Sequence, residues 1–192
     1  NDFEEKLRIA DVYENLKKTA NGEIVSDNSK ITFERYIMGS YFEQVLYYAN
    51  LRFSKMTGGR YEIVRGESRD KRISAGLEIS VRDNFNNKER DISSLSGGES
   101  FQASLALALG LSDIIQQRNG GIRLDSIFID EGFGSLDNDS LASAIETLND
   151  LTGNGNRLVG IISHISELKN SIGNKIEVVG TKSGSSIKII TD

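Results

Sequence analysis

Several things are missing from this chain, and each absence excludes a kind of chemistry. The 192 residues include no cysteine and one histidine. The lack of cysteine excludes disulfides, thiolate nucleophiles and zinc-thiolate sites, and it is what a reducing compartment permits. A clustered two-metal nuclease site is hard to assemble from a single histidine without cysteine. We therefore expect no nuclease centre in this chain.

Membrane and export signals are also missing. No apolar run approaches the roughly 20 residues of a transmembrane helix. The first six residues, NDFEEK, lack the basic and apolar stages of a signal peptide. We expect a cytoplasmic protein without membrane contact. Because position 1 is Asn, we also expect the chain to be a portion of something longer.

An excess of positive charge is missing as well. The formal net charge of -5 argues against a wholesale nucleic-acid coat. Residues 52–90 lean basic locally, with ten Lys and Arg against six acids. A solvated mixed-charge surface explains that excess more simply than DNA contact does. DNA contact stays open as the less favoured interpretation of this segment.

The absence of a phosphate-binding loop is the most informative one. A P-loop requires G-x-x-x-x-G-K-[ST], and no Gly-Lys pair occurs anywhere in the chain. Residues 95–100 nevertheless read LSGGES, a turn suited to gripping a phosphate. With 38% hydrophobic residues, the chain is sufficient for one globular domain with its own core. The sequence thus indicates one part of a nucleotide-binding protein, whose P-loop lies elsewhere.

The apolar periodicity predicts an α/β fold with right-handed crossovers. The strands at 126–129 and 158–162 read as continuous apolar runs, so we expect both to be parallel and covered on both faces. The long helix 34–56 should present Ile37, Tyr41, Val45 and Tyr48 on one face. The remaining predictions are helices at 3–16, 101–115, 141–151 and 165–172, strands at 30–33, 61–64, 77–81, 88–92, 176–179 and 187–190, and a turn at 84–87.

Two acids and the histidine follow the predicted central strands. Asp130 and Glu131 end the strand at 126–129, and His164 comes shortly after the strand at 158–162. Because parallel strands end at one sheet edge, where ligands of α/β proteins bind, we expect the three side chains to lie together. Mg²⁺ bound to nucleotide phosphates suits such acids, with Asp130 in the metal shell and Glu131 orienting the attacking water. His164 is then a candidate γ-phosphate sensor.

Ser96, Gly97 and Gly98 open the helix at 101–115. A helix start offers unpaired N–H groups to an anion, and glycine lets a ligand approach closely. Ser96 with Glu99 three residues later is also a capping box. Both interpretations hold together at this position. Asn138, Asp139 and Ser140 are candidate caps of the later helix.

Four motifs in a fixed order resemble the C-terminal lobe of an ABC-type ATPase head. They are LSGGE at 95–99, IDE at 129–131, SLD at 135–137 and SH at 163–164, which match the signature, Walker B, D-loop and His switch. The run DEGFGSLD at 130–137 and FERY at 33–36 resemble the SbcC family of DNA-repair ATPases. Transporter ATPases usually have Pro and Gln where this chain has Gly132 and Glu99.

The resemblance implies a division of the chain and a set of partners. Residues 1–30 would be a helical stub at a coiled-coil base, and 31–192 the C-terminal ATPase lobe, with a mainly parallel sheet and no Walker A. The P-loop would lie in an N-terminal lobe of the same protein. ATP and Mg²⁺ would be the cofactors, and ATP would pair two heads into a homodimer. An SbcD-type nuclease, docked near residues 1–20, would cut DNA ends and hairpins in double-strand break repair, at the nucleoid.

The resemblance also implies roles for individual residues. Asp130 and Glu131 would serve the metal and the nucleotide of their own head, with Glu131 and His164 catalytic. Ser96, Gly97, Gly98 and Glu99 would hold the ATP of the opposite head, with Asp137 at the interface. Two alternatives remain open: a head lobe of another SMC or RecF-type ATPase, and a non-catalytic dimerisation module. The presence of Glu131 and His164 argues against the second.

Overall fold

The structure is a computed structural model that describes residues 2–23, 32–66, 77–118, 124–155, 157–181 and 184–191. Its helices are α1 (Asp2–Ala20), α2 (Phe33–Met56), α3 (Gly97–Arg118), α4 (Asn138–Gly155) and α5 (Ser166–Ser171). Its strands are β1 (Tyr61–Arg65), β2 (Ile79–Asp83), β3 (Lys88–Asp91), β4 (Ser126–Asp130), β5 (Leu158–Ile162), β6 (Lys175–Thr181) and β7 (Gly184–Ile190). Short 3₁₀ turns occupy Ile92–Ser94 and Phe133–Ser135.

Helices α2 and α3 pack closely against each other and form the centre of the core. Gly110 of α3 permits this approach, because a Cβ there would lie 2.6 Å from the Val45 carbonyl oxygen and 2.7 Å from the Ala49 nitrogen. Phe53 and Ala106 are fully buried nearby. Glycine is therefore required where the two helix backbones meet.

A partly buried ion cluster ties α2 and α3 to the start of β5. The carboxylate of Asp113 on α3 meets Arg52 of α2 at 2.7 Å and Arg157, just before β5, at 3.0 Å. The three side chains are each less than a fifth exposed. One carboxylate thus connects α2, α3 and the segment just before β5.

Strands β1, β2 and β3 form an antiparallel meander. The predicted turn at 84–87 is confirmed, and Asn87 takes a positive φ of 54° in it. Ile63 and Val81 face the core from adjacent strands. The last strand runs through a 3₁₀ turn into α3, so the meander sets the position of the α3 N-terminus.

Strands β4 and β5 pair in parallel, as predicted. Ile127, Ile129 and Val159 pack on the core from one face. The opposite face exposes Phe128 by 70%, Leu158 by 64% and Ile162 by 56%. The prediction that both strands are covered on both faces is therefore wrong for this chain, because its described residues pack against one face only.

A second apolar surface lies on the β6–β7 hairpin. The register places Ile176 opposite Ile189 and Val178 opposite Ile187, so the four side chains share one face. All four are between 67% and 70% exposed. The described chain leaves this aliphatic face in solvent.

Helix α1 is exposed from Phe3 to Ala20, and the division of the chain at residue 30 stays a prediction. Among the described residues, no helix is both long and apolar enough to span a bilayer.

Three expectations about elements need correction. Phe33 begins α2 instead of ending a strand, because the Thr32 hydroxyl accepts a hydrogen bond from the Arg35 N–H and caps the helix; residues 30 and 31 lie outside the described part. The buried face of α2 is centred on Val45, Leu46, Ala49, Phe53 and Met56, while Ile37 and Tyr41 are exposed. The α/β class is confirmed, yet among the described strands only β4 and β5 pair in parallel, and the β1–β2–β3 and β6–β7 neighbours are antiparallel.

Candidate functional site

The candidate site begins where β4 ends. Asp130 is its last residue, and the next residue, Glu131, has a positive φ of 60°, followed by Gly132 at 97°. The Glu131 N–H donates to the Ile162 carbonyl oxygen at 2.9 Å, which ties this turn to the end of β5. A non-glycine residue in the left-handed region costs on the order of 1–3 kcal/mol, and such strain clusters at functional sites. The backbone thus holds Glu131 in an unusual conformation.

Glu131 and His164 are in direct contact. The His164 Nδ1 lies 3.0 Å from one carboxylate oxygen of Glu131 and 3.2 Å from the other. An ionised carboxylate only accepts, so Nδ1 is the donor in this contact, and Nε2 would need a proton of its own to donate to a phosphate. Both side chains are at least half exposed. The expected meeting of His164 with the strand-end acids is confirmed for Glu131.

Asp130 lies on the open face of the β4–β5 pair. Side chains alternate along a strand, so Asp130 shares a face with Phe128, and its register partner is Ile162. No group of three or more His, Asp or Glu side chains suited to a metal forms within the described ranges. Mg²⁺ needs no such cage, because it is usually held by one or two carboxylates together with waters and substrate phosphates. Asp130 and Glu131 therefore fit a magnesium ion that arrives with a nucleotide.

The turn at 95–99 is a capping box. The Ser96 hydroxyl accepts from the Glu99 N–H at 3.3 Å, while the Glu99 carboxylate accepts from the Ser96 N–H at 2.8 Å. Ser96 and Gly97 are exposed at the start of α3, and Leu95 is buried beneath them. A fixed, exposed helix start is a suitable surface for an anion.

Gly98 has a structural reason to be glycine. A Cβ at this position would lie 2.8 Å from the Ser135 carbonyl oxygen and 3.4 Å from the Leu136 side chain. The start of α3 thus packs directly on the 3₁₀ turn that follows the strand-end acids. The sequence suggested that a ligand approaches Gly98 closely. The structure shows that the Ser135 backbone of the same chain also does so.

Two residues that the sequence did not single out support this turn. Burial alone would raise the pKa of Glu99, but hydrogen bonds from the Ser96 backbone, Tyr61 and the Ser96 hydroxyl outweigh it and lower that pKa below its ordinary value. Arg90 donates to the Tyr61 hydroxyl at 3.3 Å and to the Ser94 carbonyl oxygen at 2.9 Å. No local pattern predicts these contacts, because Tyr61 belongs to β1 and Glu99 to α3.

Asp137 caps α4. Its carboxylate accepts from the Ser140 N–H at 2.8 Å, and this hydrogen bond lowers the pKa of Asp137. The candidates Asn138, Asp139 and Ser140 are therefore wrong as N-caps, since they lie within the first turn of the helix. Asp137 follows directly on the 3₁₀ turn against which Gly98 packs.

The structure therefore gathers the predicted residues into two adjoining groups. Asp130, Glu131 and His164 form one, at the end of β4 and β5. The start of α3 forms the other, and the turn Phe133–Ser135 lies between them. The roles assigned to these residues in nucleotide binding remain predictions.

Comparison with known proteins gives one family match. A family model described as SbcC/RAD50-like, Walker B motif, matches residues 67–150. That range includes the α3 turn and the strand-end acids, and it ends before His164.

Two curated relatives are named as SbcC components of the nuclease SbcCD. The chain is 49% identical over 92% of its length to the one from Vibrio cholerae, and 55% identical over 80% of its length to one from Staphylococcus epidermidis. It spans 17% and 15% of these two proteins. The chain therefore corresponds to a small part of the relatives that it matches.

Solved SMC structures share the fold. One, from work on ATP-driven dimerization and DNA-stimulated activation of SMC ATPases, has a TM-score of 0.62 at 14% identity and covers 82% of this chain and 89% of its own. Another, the Pyrococcus furiosus Smc head domain with an extended coiled coil bound to the C-terminal domain of ScpA, has a TM-score of 0.59 at 18% identity and covers 82% and 37%. At these identities the likeness concerns the fold alone.

Proposed function

Because this chain belongs to the SbcC family and is a C-terminal head lobe, we propose that it forms half of an ATP-binding and ATP-hydrolysing head. The observation that carries the proposal is the contact of Glu131 with His164 at the ends of two parallel strands, beside Asp130. Acids and a histidine at that edge suit phosphoryl transfer to water.

Each of these side chains has a distinct part in the proposed reaction. Glu131 orients the attacking water and accepts its proton. His164 keeps the Glu131 carboxylate in place through Nδ1 and, with both ring nitrogens protonated, donates from Nε2 to the γ-phosphate. Asp130, with Glu131, holds the metal shell. When bound, Mg²⁺ neutralises the charge of the β- and γ-phosphates.

The second group serves another nucleotide. Ser96, Gly97 and Gly98, with Glu99 as the residue that fixes their turn, hold the γ-phosphate of ATP bound to an opposite head. Asp137 lies at the interface between the heads. The missing P-loop supports this assignment. The chain has a turn suited to a phosphate, but it has no Gly-Lys pair with which to bind a nucleotide of its own. ATP then joins two copies into a homodimer, and hydrolysis releases them.

The open apolar faces support a second lobe of the same protein. Phe128, Leu158 and Ile162 on the β4–β5 pair leave an area in solvent that a stable head would cover. Asp130 lies on that face, so a covering lobe would bring its P-loop to the metal ligand. The N-terminal lobe, which carries the P-loop, is the proposed occupant.

The whole protein is proposed to control a partner nuclease. The relatives are named as parts of the nuclease SbcCD, which supports an SbcD-type partner that cuts DNA ends and hairpins in double-strand break repair. This work would take place at the nucleoid, in the cytoplasm. Arg60, Arg65 and Arg82 of the basic segment are ion-paired with Asp83, Glu43 and Glu89, so these three side chains are weak candidates for the DNA contact. An SMC-type chromosome ATPase is less favoured, since its likeness rests on the fold alone.

A turnover measurement tests the catalytic assignment. In the full-length protein, Glu131→Gln should bind ATP normally and lose at least ~10²-fold in kcat, because the general base is gone. Glu34→Gln, at an exposed acid in the first turn of α2, is the matched control and should keep wild-type turnover. Wild-type turnover by Glu131→Gln would overturn the assignment.

A further inference from the structure

An aromatic side chain of α3 lies against the turn that carries Glu131. A Cβ built on Gly132 would be 2.2 Å from Cε2 and 2.4 Å from Cδ2 of Phe101. The ring therefore rests directly on the Gly132 Cα, and residue 132 has space for a hydrogen only. This contact limits how Gly132, and with it Glu131, can move.

The position of the Phe101 ring is itself fixed by the core. Phe101 and Phe133 meet edge to face, with ring centroids 4.8 Å apart and an interplanar angle of 62°. Phe133 is fully buried, and it begins the 3₁₀ turn that follows Gly132. Phe101 thus contacts the Glu131 turn on one side and its buried continuation on the other.

Glu131 requires such support. Its φ of 60° is unfavourable for a residue with a side chain, so the surroundings must hold it there. The hydrogen bond from its N–H to Ile162 fixes one side of the turn, and Phe101 packs against the other.

We infer that Phe101 is a positioning residue for the Glu131 carboxylate, an inference that rests on the proposed function of Glu131 as the base. Phe101 lies five residues after Ser96, about 1.4 helical turns, in the helix whose start is proposed to meet the other head's ATP. The Gly98 backbone packs on Ser135 in the same contact zone.

The test measures turnover and binding separately in the full-length protein. Phe101→Ala should lower kcat on the order of 10-fold or more, because small misplacements of a reacting group have large effects. Its ATP affinity and ATP-driven head pairing should stay at wild-type values. Leu107→Ala is the matched control, since Leu107 is also a partly buried α3 side chain packed on the core, and it should keep the wild-type kcat. Phe101→Leu should restore part of the lost rate.

A double-mutant cycle identifies the contact itself. Gly132→Ala should lower kcat strongly when Phe101 is present and much less in the Phe101→Ala background, since the ring that meets the new methyl group is gone. The backbone strain at Gly132 is common to both backgrounds, so the difference reports on the ring. Additive losses would overturn the inference.

Two further outcomes separate this inference from the proposed function. If Phe101→Ala and Leu107→Ala have equal kcat while Glu131→Gln has lost turnover, the positioning role is wrong and the base assignment stands. If Glu131→Gln turns over like the wild type, the proposed function fails, and the inference fails with it.

Discussion

At the scale of single residues, Ser96 has a structural contact and a proposed functional one. Its hydroxyl caps α3 through the Glu99 N–H, and the same residue is proposed to face the ATP of another head. The cap uses atoms of the chain itself, so it forms without a nucleotide. Substitutions at Ser96 should therefore separate stability from head pairing.

Ser96→Arg tests that separation. A long cationic side chain at the exposed helix start should abolish ATP-driven pairing of full-length heads and spare ATP binding by each head. A role as helix cap alone predicts a stability loss of about 1 kcal/mol with pairing intact. Sedimentation with and without ATP measures pairing. Normal pairing of the Arg variant would show that Ser96 does not meet the second nucleotide.

Glu99 makes stability depend on pH in a defined direction. Its pKa is lowered in the folded chain, so the unfolded state binds the proton more readily near the ordinary glutamate pKa of 4.5. The stabilisation from the carboxylate is present above that pH and is lost as pH falls through the lower, folded-state pKa. Wild type should therefore lose stability on acidification more steeply than Glu99→Gln.

Urea unfolding of both proteins between pH 3 and 6 measures this difference. The stability gap between wild type and Glu99→Gln should be widest at the upper end of that range and shrink toward the lower end. Tyr61→Phe removes one hydrogen bond to Glu99 and should reduce the pH dependence in part. A gap that grows on acidification would contradict the assigned direction.

At the scale of elements, the start of α3 depends on its fit to the turn after β4. Gly98 lies where even a methyl group would overlap the Ser135 backbone. Backbone atoms move less readily than a side-chain end, so the helix start or the turn would have to shift. The fit thus links the two groups of the site.

Gly98→Ala should destabilise the fold by roughly 1–3 kcal/mol through this overlap. The matched control is Gly153→Ala in α4, where a Cβ would have nothing within 4 Å. That control should be neutral or stabilise by about 0.5–1 kcal/mol, because alanine favours a helix over glycine. Thermal unfolding compares the two variants. Equal effects would mean that the α3 start has room to adapt.

At the scale of the whole molecule, the main feature is the pair of exposed apolar faces. The β4–β5 face and the β6–β7 face both leave large aliphatic side chains in solvent. A monomeric protein rarely leaves such areas uncovered. Together with the absence of a P-loop, they fit a lobe that acts only when joined to another.

The isolated chain should therefore neither bind ATP tightly nor hydrolyse it. The chain has no P-loop to hold the phosphates, so the proposed base has no nucleotide to act on. Calorimetric titration with ATP and a phosphate-release assay on purified chain measure both properties, with the full-length protein as the positive control. Appreciable hydrolysis by the pure chain would contradict the division of the site between two lobes.

Much of the local structure follows from the sequence, because it is decided by neighbouring residues. The capping box at Ser96 and Glu99, the turn at 84–87 and the periodicity of the helices involve atoms a few positions apart. The order of the four motifs likewise indicates the family. Local errors arose at two helix starts. At Asp137 several polar residues in a row satisfy the cap pattern, and at Thr32 the predicted strand at 30–33 overlapped the start of α2.

Tertiary structure alone decided the contacts between distant segments. His164 meets Glu131, Tyr61 meets Glu99, and Phe101 rests on Gly132 because elements far apart in the chain pack together. The sequence also did not predict the exposed face of β4 and β5, because an apolar strand has the same residue pattern whether its own chain or another lobe covers it. The sequence determined which residues are candidates for binding a phosphate and activating water, because residue type and spacing carry that chemistry, and packing determined which of them meet.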